Sequence, residues 1–246
     1  MFKLRQVAKQ FGDGTKALEG INAEIAPGSF VALLGPSGCG KSTLLRLLAG
    51  LEAPTSGEIS WGHAGKPAPG EIGYVFQDPT LLPWATAAEN AYLPLRLRGV
   101  KRTAAIPKVM AALAQVGLEE FAHAKPKALS GGMRMRVSIA RALVSEPALL
   151  LMDEPFAALD EFTRHKLQDD LLDLWRQTGK TVVFVTHSIY EAAYLANQIM
   201  IMTPRPGRIA AILTPELAQG PRRRESAEYH RLVEEITGSL QRVMPT

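Results

Sequence analysis

The sequence predicts an α/β fold: a parallel-sheet core, a small antiparallel sheet at its front, and a block of helices inserted between its early and late strands. Three observations point there. First, Phe30–Leu34, Ala148–Met152 and Val182–Val185 are continuous apolar runs of strand length, the pattern of parallel strands covered on both faces. Second, residues 1–30 alternate polar and apolar positions, broken by Gly12-Asp13-Gly14 and Pro27-Gly28, as antiparallel strands joined by turns do. Third, from about 86 to 146 the pattern becomes helical, over Ala88–Leu97, Ala104–Val116 and Met133–Val144.

These observations set the expected organisation. Residues 1–85 and 147–210 form the core with its antiparallel sheet, residues 86–146 a helical subdomain, and residues 211–246 a C-terminal extension, all within one domain spanning 1–246. Gly57–Ser60 and Ile72–Phe76 read as further strands, and Glu228–Leu240 carries a weak helical pattern with no evident place in the core. With 246 residues, 46% hydrophobic and 21% charged, the chain has the composition of an ordinary globular protein. A net charge of +4 without a long Lys/Arg stripe argues against a nucleic-acid partner. Arg222-Arg223-Arg224, after Gly220-Pro221, reads as a solvated turn. One cysteine excludes an internal disulfide, and no apolar stretch reaches the ~18 residues of a spanning helix. Any membrane role is therefore expected through a partner.

The chemistry begins at Gly35-Pro36-Ser37-Gly38-Cys39-Gly40-Lys41-Ser42-Thr43, which matches the phosphate-binding pattern G-x-x-x-x-G-K-[ST]. It lies between the strand Phe30–Leu34 and a helical stretch, Thr43–Ala49, closed by Gly50. Strand, glycine-rich turn and helix start aim backbone N–H groups and the positive end of the helix dipole at one point, suited to nucleotide phosphates. Lys41 adds a positive charge there, and the Ser42 hydroxyl suits the accompanying Mg²⁺. The fold class sharpens to a P-loop NTPase (RecA-like) core. Cys39 occupies a variable loop position and reads as a small filler, yet alkylating it would crowd a bound phosphate, so inhibition by thiol reagents with protection by ATP is expected.

Leu149-Leu150-Leu151-Met152-Asp153-Glu154-Pro155 places two carboxylates at the carboxyl end of a buried strand, the end where open α/β sheets bind ligands. A charge beside buried apolar residues needs an offsetting group, which a Mg²⁺–phosphate site supplies. Asp153 then reads as the metal partner and Glu154 as the group that polarises attacking water. Leu129-Ser130-Gly131-Gly132-Met133-Arg134 precedes a helix: Ser130 is a good N-cap, and two glycines leave the helix start bare for close approach of an anion.

Together these stretches resemble the ATPase subunits of ATP-binding cassette (ABC) transporters. The matches are GPSGCGKST at 35–43, Gln77 after Tyr74-Val75-Phe76, LSGGM at 129–133, LLLMDEP at 149–155, Ala157-Ala158-Leu159-Asp160, and His187 in Val185-Thr186-His187-Ser188. They occur in the family's order, and the resemblance covers about residues 1–210. Leu81-Leu82-Pro83-Trp84 after Gln77, Ser188–Ala192 and Arg205-Pro206-Gly207-Arg208 are similar to the nitrate/sulfonate/taurine-type importers in particular.

The resemblance implies roles. Phe11 matches the position that stacks on adenine, usually tyrosine, the alternative being a core aromatic of the front sheet. Gly35 to Thr43 bind phosphates, with Ser42, Gln77 and Asp153 at Mg²⁺. Lys41, Gln77, Glu154 as general base and His187, which holds the γ-phosphate, make up the catalytic set. Ser130, Gly131, Gly132 and Asp160 act on the nucleotide of a second copy, so two ATP molecules are clamped between two chains. Met135 stands where the family usually has glutamine, with an altered surface contact expected. Leu81–Trp84 is expected to dock transmembrane permease subunits, the alternative being that Trp84 packs the helical block. The implied function is the energy-coupling ATPase of an importer for a small anion or sulfonate-like solute, peripheral on the cytoplasmic face of the membrane, with a substrate-binding protein acting indirectly. A non-transport ABC-type clamp is the alternative. A small-molecule kinase would have no use for Ser130–Gly132 or His187.

Overall fold

A computed structural model describes residues 2–62, 65, 67, 70–157, 159–215 and 223–243. In chain order the elements are β1 (Phe2–Gln10), β2 (Lys16–Ile25), β3 (Phe30–Leu34), α1 (Lys41–Ala49), β4 (Ser56–Trp61), β5 (Ile72–Val75), α2 (Ala87–Leu97), α3 (Arg102–Gln115) and α4 (Gly131–Leu143). There follow β6 (Leu149–Asp153), α5 (Glu161–Thr178), β7 (Thr181–Thr186), α6 (Ile189–Leu195), β8 (Gln198–Met202), β9 (Ile209–Leu213) and α7 (Ala227–Val243). They form two compact units, one of Met1–Lys66 with Thr181–Thr246 and one of Pro67–Lys180.

In the first unit, β1 pairs antiparallel with β2 and with β4. Alternation does the work: Phe2, Leu4 and Val7 are buried while Lys3 and Arg5 face out. The β1 ladder is broken by a register shift at Gln6, whose φ of 49° is positive. Gly57 fits against that bulge because a Cβ there would lie 2.2 Å from the Gln6 carbonyl oxygen. Strand β3 is buried at every position and runs parallel to β7 on one side and β8 on the other, and β9 closes the edge antiparallel to β8. Phe30 and Phe184 meet edge to face at 5.5 Å across the β3–β7 pair, a favourable arrangement for stacked quadrupoles.

Strands β8 and β9 carry no motif and were not anticipated from the sequence; Ile209–Leu213 has only a short alternation of half-buried and exposed positions. The weak C-terminal pattern is a real helix. In α7, Tyr229, Leu232 and Ile236 are buried, and the Tyr229 hydroxyl donates to the Tyr190 carbonyl of α6 (3.2 Å). Arg222 lies outside the described residues, but Arg224 is not a solvated turn residue. Its guanidinium stacks 3.5 Å from the centroid of the Tyr194 ring, a cation–π contact that the charge run could not reveal.

In the second unit, β5 and β6 pair parallel, from Ile72↔Leu149 to Val75↔Met152. Helix α2 opens with a reciprocal capping box between Thr86 and Glu89. Fully buried Asn90, one turn in, accepts from the Leu82 N–H and donates to the carbonyls of Leu82, Ala85 and Thr86. That side chain freezes the turn from 82 to 86. On α4, Arg141 donates to the Pro79 and Thr80 carbonyls at 2.7 and 2.9 Å, and burial pushes its guanidinium pKa below the usual range. Met135 corrects one expectation. It is fully buried on α4, so it fills core space instead of altering a surface contact; an unbranched thioether adapts to such a gap.

Close packing in the first unit gives a direct test. A Cβ at Gly207 would lie 2.0 Å from the Cys39 carbonyl oxygen, whereas one at Gly238 on α7 would meet nothing within 4 Å. Gly207→Ala is expected to destabilise the protein by about 1–3 kcal/mol in a denaturant titration and to weaken nucleotide binding. Gly238→Ala is expected to be neutral or slightly stabilising.

Candidate functional site

In the first unit the phosphate loop leaves β3 at Gly35 and enters α1 at Lys41, two residues earlier than the sequence pattern placed the helix start. Its glycines are required by geometry. Gly38 and Gly40 have φ of 74° and 100°, in the left-handed region that side chains disfavour. A Cβ on Gly40 would also strike Leu18 Cδ2 at 2.7 Å.

The Lys41 side chain is buried and folds back over the loop, where Nζ donates to the Gly35 and Pro36 carbonyls at 2.8 and 2.9 Å. Ser42 and Thr43 follow, half-buried, in the first turn of α1. Arg205 supports the loop from outside, its Nε donating to the Gly38 carbonyl at 3.2 Å. The sequence offered Arg205 only as part of a subfamily cue.

Phe11 lies in the turn between β1 and β2 and is 37% exposed, so it is not a core aromatic of the front sheet. Lys9 Nζ stands 5.4 Å from its ring centroid. His187 is exposed in the link between β7 and α6.

In the second unit, Asp153 ends β6 and is buried, and Glu154 follows with φ 47°. A non-glycine residue in that region costs of order 1 kcal/mol and persists only where its surroundings impose it. Here the turn that follows does so, with the Ala157 N–H donating to the Glu154 carbonyl and the Leu159 N–H to that of Phe156. Ala158 lies outside the described residues.

Ser130 caps α4, its Oγ accepting from the Met133 N–H at 3.2 Å, so the helix begins at Gly131, two residues before the expected Met133. Gly132 lies against the Asp160 segment; a Cβ there would meet Leu159 Cδ2 at 2.9 Å and Thr163 Cγ2 at 3.5 Å. Exposed Asp160 caps α5, and the Thr163 N–H bound to its carboxylate holds its pKa below the usual range. The unit thus brings Ser130, Gly131, Gly132 and Asp160 together. Gln77 is exposed just beyond β5, with Asp78 bracing the turn by accepting from the Thr80 N–H. Trp84 is 70% exposed, so it does not pack the helical block.

Functional signals that sequence reasoning missed are second-layer ones. Asn90 and Arg141 hold the segment from Pro79 to Thr86, and Glu191 holds the link containing His187. Asn90 and Arg141 form no motif because they bind backbone carbonyls, which carry no residue type, and Glu191 is bound by the Thr186 hydroxyl five residues before it. The Ser188-x-x-Glu191 spacing was the one available cue.

Cys39 departs from the expectation of ready inhibition. The thiol is almost fully enclosed, and burial pushes its pKa above the usual value, although nearby Lys41 opposes the shift. The thiolate is the nucleophile, so its fraction near neutral pH falls. Native protein is expected to react with a disulfide reagent about tenfold or more slower than denatured protein at pH 7, with the rate climbing as pH rises. Timed thiol titration with and without denaturant checks this.

Comparison with known proteins agrees with this geometry. The family model described as ABC transporter matches residues 18–157. An uncharacterized ABC transporter ATP-binding protein of Methanocaldococcus jannaschii, MJ0412, is 46% identical over 231 residues, 92% of this chain and 86% of that protein. The taurine import ATP-binding protein TauB of Chromobacterium violaceum is 46% identical over 88% of this chain and 83% of its own length. TauB of Burkholderia pseudomallei (strain 1710b) is 49% identical over 79% and 75%. Among solved structures, a dimeric post-hydrolysis state of the ATP-binding cassette MJ0796 bound to ADP and Pi superposes with a TM-score of 0.78 at 35% identity, covering 89% of this chain and all of that one. With an α/β P-loop fold, the pattern G-x-x-x-x-G-K-[ST] at 35–43 and likeness to transporter cassettes over most of its length, this chain belongs to the ABC transporter ATP-binding family and is an ABC ATPase.

Proposed function

We propose that this chain is the ATP-hydrolysing, energy-coupling subunit of an importer for a small anion or sulfonate-like solute, working as a nucleotide-sandwich dimer. The observation that carries the reading is the 46–49% identity to taurine import ATP-binding proteins over most of both lengths. Membrane attachment comes through permease subunits at the cytoplasmic face, with a substrate-binding protein upstream. Among the described residues no helix is long and apolar enough to cross a membrane, which is consistent with a peripheral subunit.

Adenine stacks on Phe11, and the N–H groups of residues 35–43 receive the phosphates. Lys41 exchanges its two loop carbonyls for phosphate oxygens, replacing neutral acceptors with charged ones that bind about twice as strongly. The residues suit Mg²⁺: buried Asp153 needs a cation or donors, and Ser42, Gln77 and Asp153 are oxygen ligands of the kind Mg²⁺ takes together with water and phosphate. When bound, the ion neutralises charge on the phosphate oxygens.

Glu154 accepts a proton from water as the water oxygen bonds to the γ-phosphorus. The bond from that phosphorus to the β–γ bridging oxygen breaks, and ADP keeps the electron pair. His187 holds the γ-phosphate and water in line. Ser130, Gly131 and Gly132, at a helix start worth about half a positive charge, clamp the γ-phosphate of a second copy's nucleotide, and Asp160 works across the same dimer. Hydrolysis removes the charge the clamp grips, which gives the ATP and ADP states the different dimer affinities a switch requires.

Glu154→Gln is expected to keep ATP binding, slow hydrolysis about 10²-fold or more, and accumulate a dimer in ATP. Steady-state ATPase assays and light scattering check it, and a monomer at saturating ATP would sink the clamp. Trp84→Ala is expected to leave soluble ATPase activity within about twofold, because surface changes of this kind rarely perturb a fold. The same variant should wash off native membranes that retain the unaltered chain.

A further inference from the structure

Glu191 is a buried carboxylate that the hydrolytic scheme above does not use. It lies in the first turn of α6, directly after His187, and is 8% exposed. Ser188-x-x-Glu191 has the spacing of a capping box, in which the glutamate would accept from the N-cap backbone N–H. The structure routes the box differently. The Ser188 N–H donates to Thr186 Oγ1 at 3.0 Å, the Thr186 hydroxyl donates to Glu191 Oε2, and the Glu191 N–H donates to Ser188 Oγ at 3.3 Å.

The result is a hydrogen-bonded ring that encloses the backbone of His187. The three side chains that form it are buried or half-buried, with Thr186 2% exposed, whereas the imidazole of His187 is exposed. The ring is tied to the phosphate loop as well, because Thr186 pairs with Leu34, the residue immediately before Gly35.

Helix capping alone does not account for this arrangement. Helix α6 has seven residues, of which Ala192, Ala193, Tyr194 and Leu195 are buried, so tertiary packing already holds it. A serine cap satisfies its first turn without a buried carboxylate, which is costly to desolvate. What the carboxylate adds is a fixed link between the end of β7 and the start of α6.

We propose that Glu191, acting through Thr186, is a positioning residue that holds His187 in register with the phosphate loop. The catalytic part of this inference rests on the reading of His187 as the γ-phosphate partner. Glu191 does not touch nucleotide; it fixes the two peptide units from which His187 projects. A displacement of about 1 Å in such a group can cost on the order of 10²-fold in rate.

The test uses the full-length protein with Glu191→Ala, Glu191→Gln, Thr186→Val and Thr186→Ser, each in the native and His187→Ala backgrounds. Glu191→Ala and Thr186→Val are expected to lower kcat about 10- to 100-fold with little change in KM for Mg-ATP. Glu191→Gln and Thr186→Ser keep an acceptor and a hydroxyl, and should stay within a few-fold of the native protein. In the His187→Ala background, Glu191→Ala and Thr186→Val should cost nothing further. Full additivity there, or native kcat in a folded Glu191→Ala protein, would overturn the proposal. NMR of ¹³C-labelled histidine separates the two readings. The His187 ring signal, assigned by its loss in His187→Ala, should broaden or split in Glu191→Ala and Thr186→Val but not in the conservative variants. An unchanged ring signal in Thr186→Val, which preserves shape, refutes the positioning role even if Glu191→Ala fails to fold. If His187→Ala hydrolyses ATP at the native rate while the ring signal responds as expected, the catalytic reading of His187 falls and the positioning role stands.

Discussion

A buried ammonium group organises the phosphate loop. Lys41 is almost without solvent, and its Nζ is held by the carbonyls of Gly35 and Pro36. A cation in that position must have acceptors, and the chain curls two of its own carbonyls inward to supply them. The glycines follow from the same constraint. Two of them take left-handed φ, and the space beside Gly40 is already filled by Leu18. The loop's shape is therefore set by its own contacts, and in the proposed function nucleotide exchanges one set of acceptors for another.

The second unit solves a related problem with different parts. Its polar residues lie at element ends, where backbone groups lack partners: Ser130 and Asp160 each cap a helix, and Asp153 closes a buried strand. Close approach at Gly132 brings two of these ends against one another. Glu154 shares its left-handed φ with Thr80 and Glu146 of the same unit, and it alone of the three follows directly on the buried end of β6.

Much of this was legible in the sequence. The buried strands announced themselves as uninterrupted apolar runs, the loop by its glycines and lysine, and the start of α4 by Ser130. What stayed hidden was of two kinds. Strand β9 is a short edge element whose half-exposed residues leave little periodicity, and the weak pattern of α7 gave no place for it until its packing on α6 supplied one. The supporting side chains Asn90, Arg141 and Arg205 bind backbone carbonyls, and a carbonyl has no residue type for a pattern to detect. Met135 and Arg224 were misjudged for the same reason, since burial and ring stacking depend on neighbours that only the fold supplies.

Asn90 carries a consequence for how such a subunit diversifies. Its four hydrogen bonds set the course of the turn through main-chain atoms alone. Pro83 and Trp84 protrude from that frame without helping to build it. Under the proposed docking role, mutational drift at those two positions retunes which assembly the cassette joins while its hydrolytic machinery is inherited intact, much as one motor accepts interchangeable couplings.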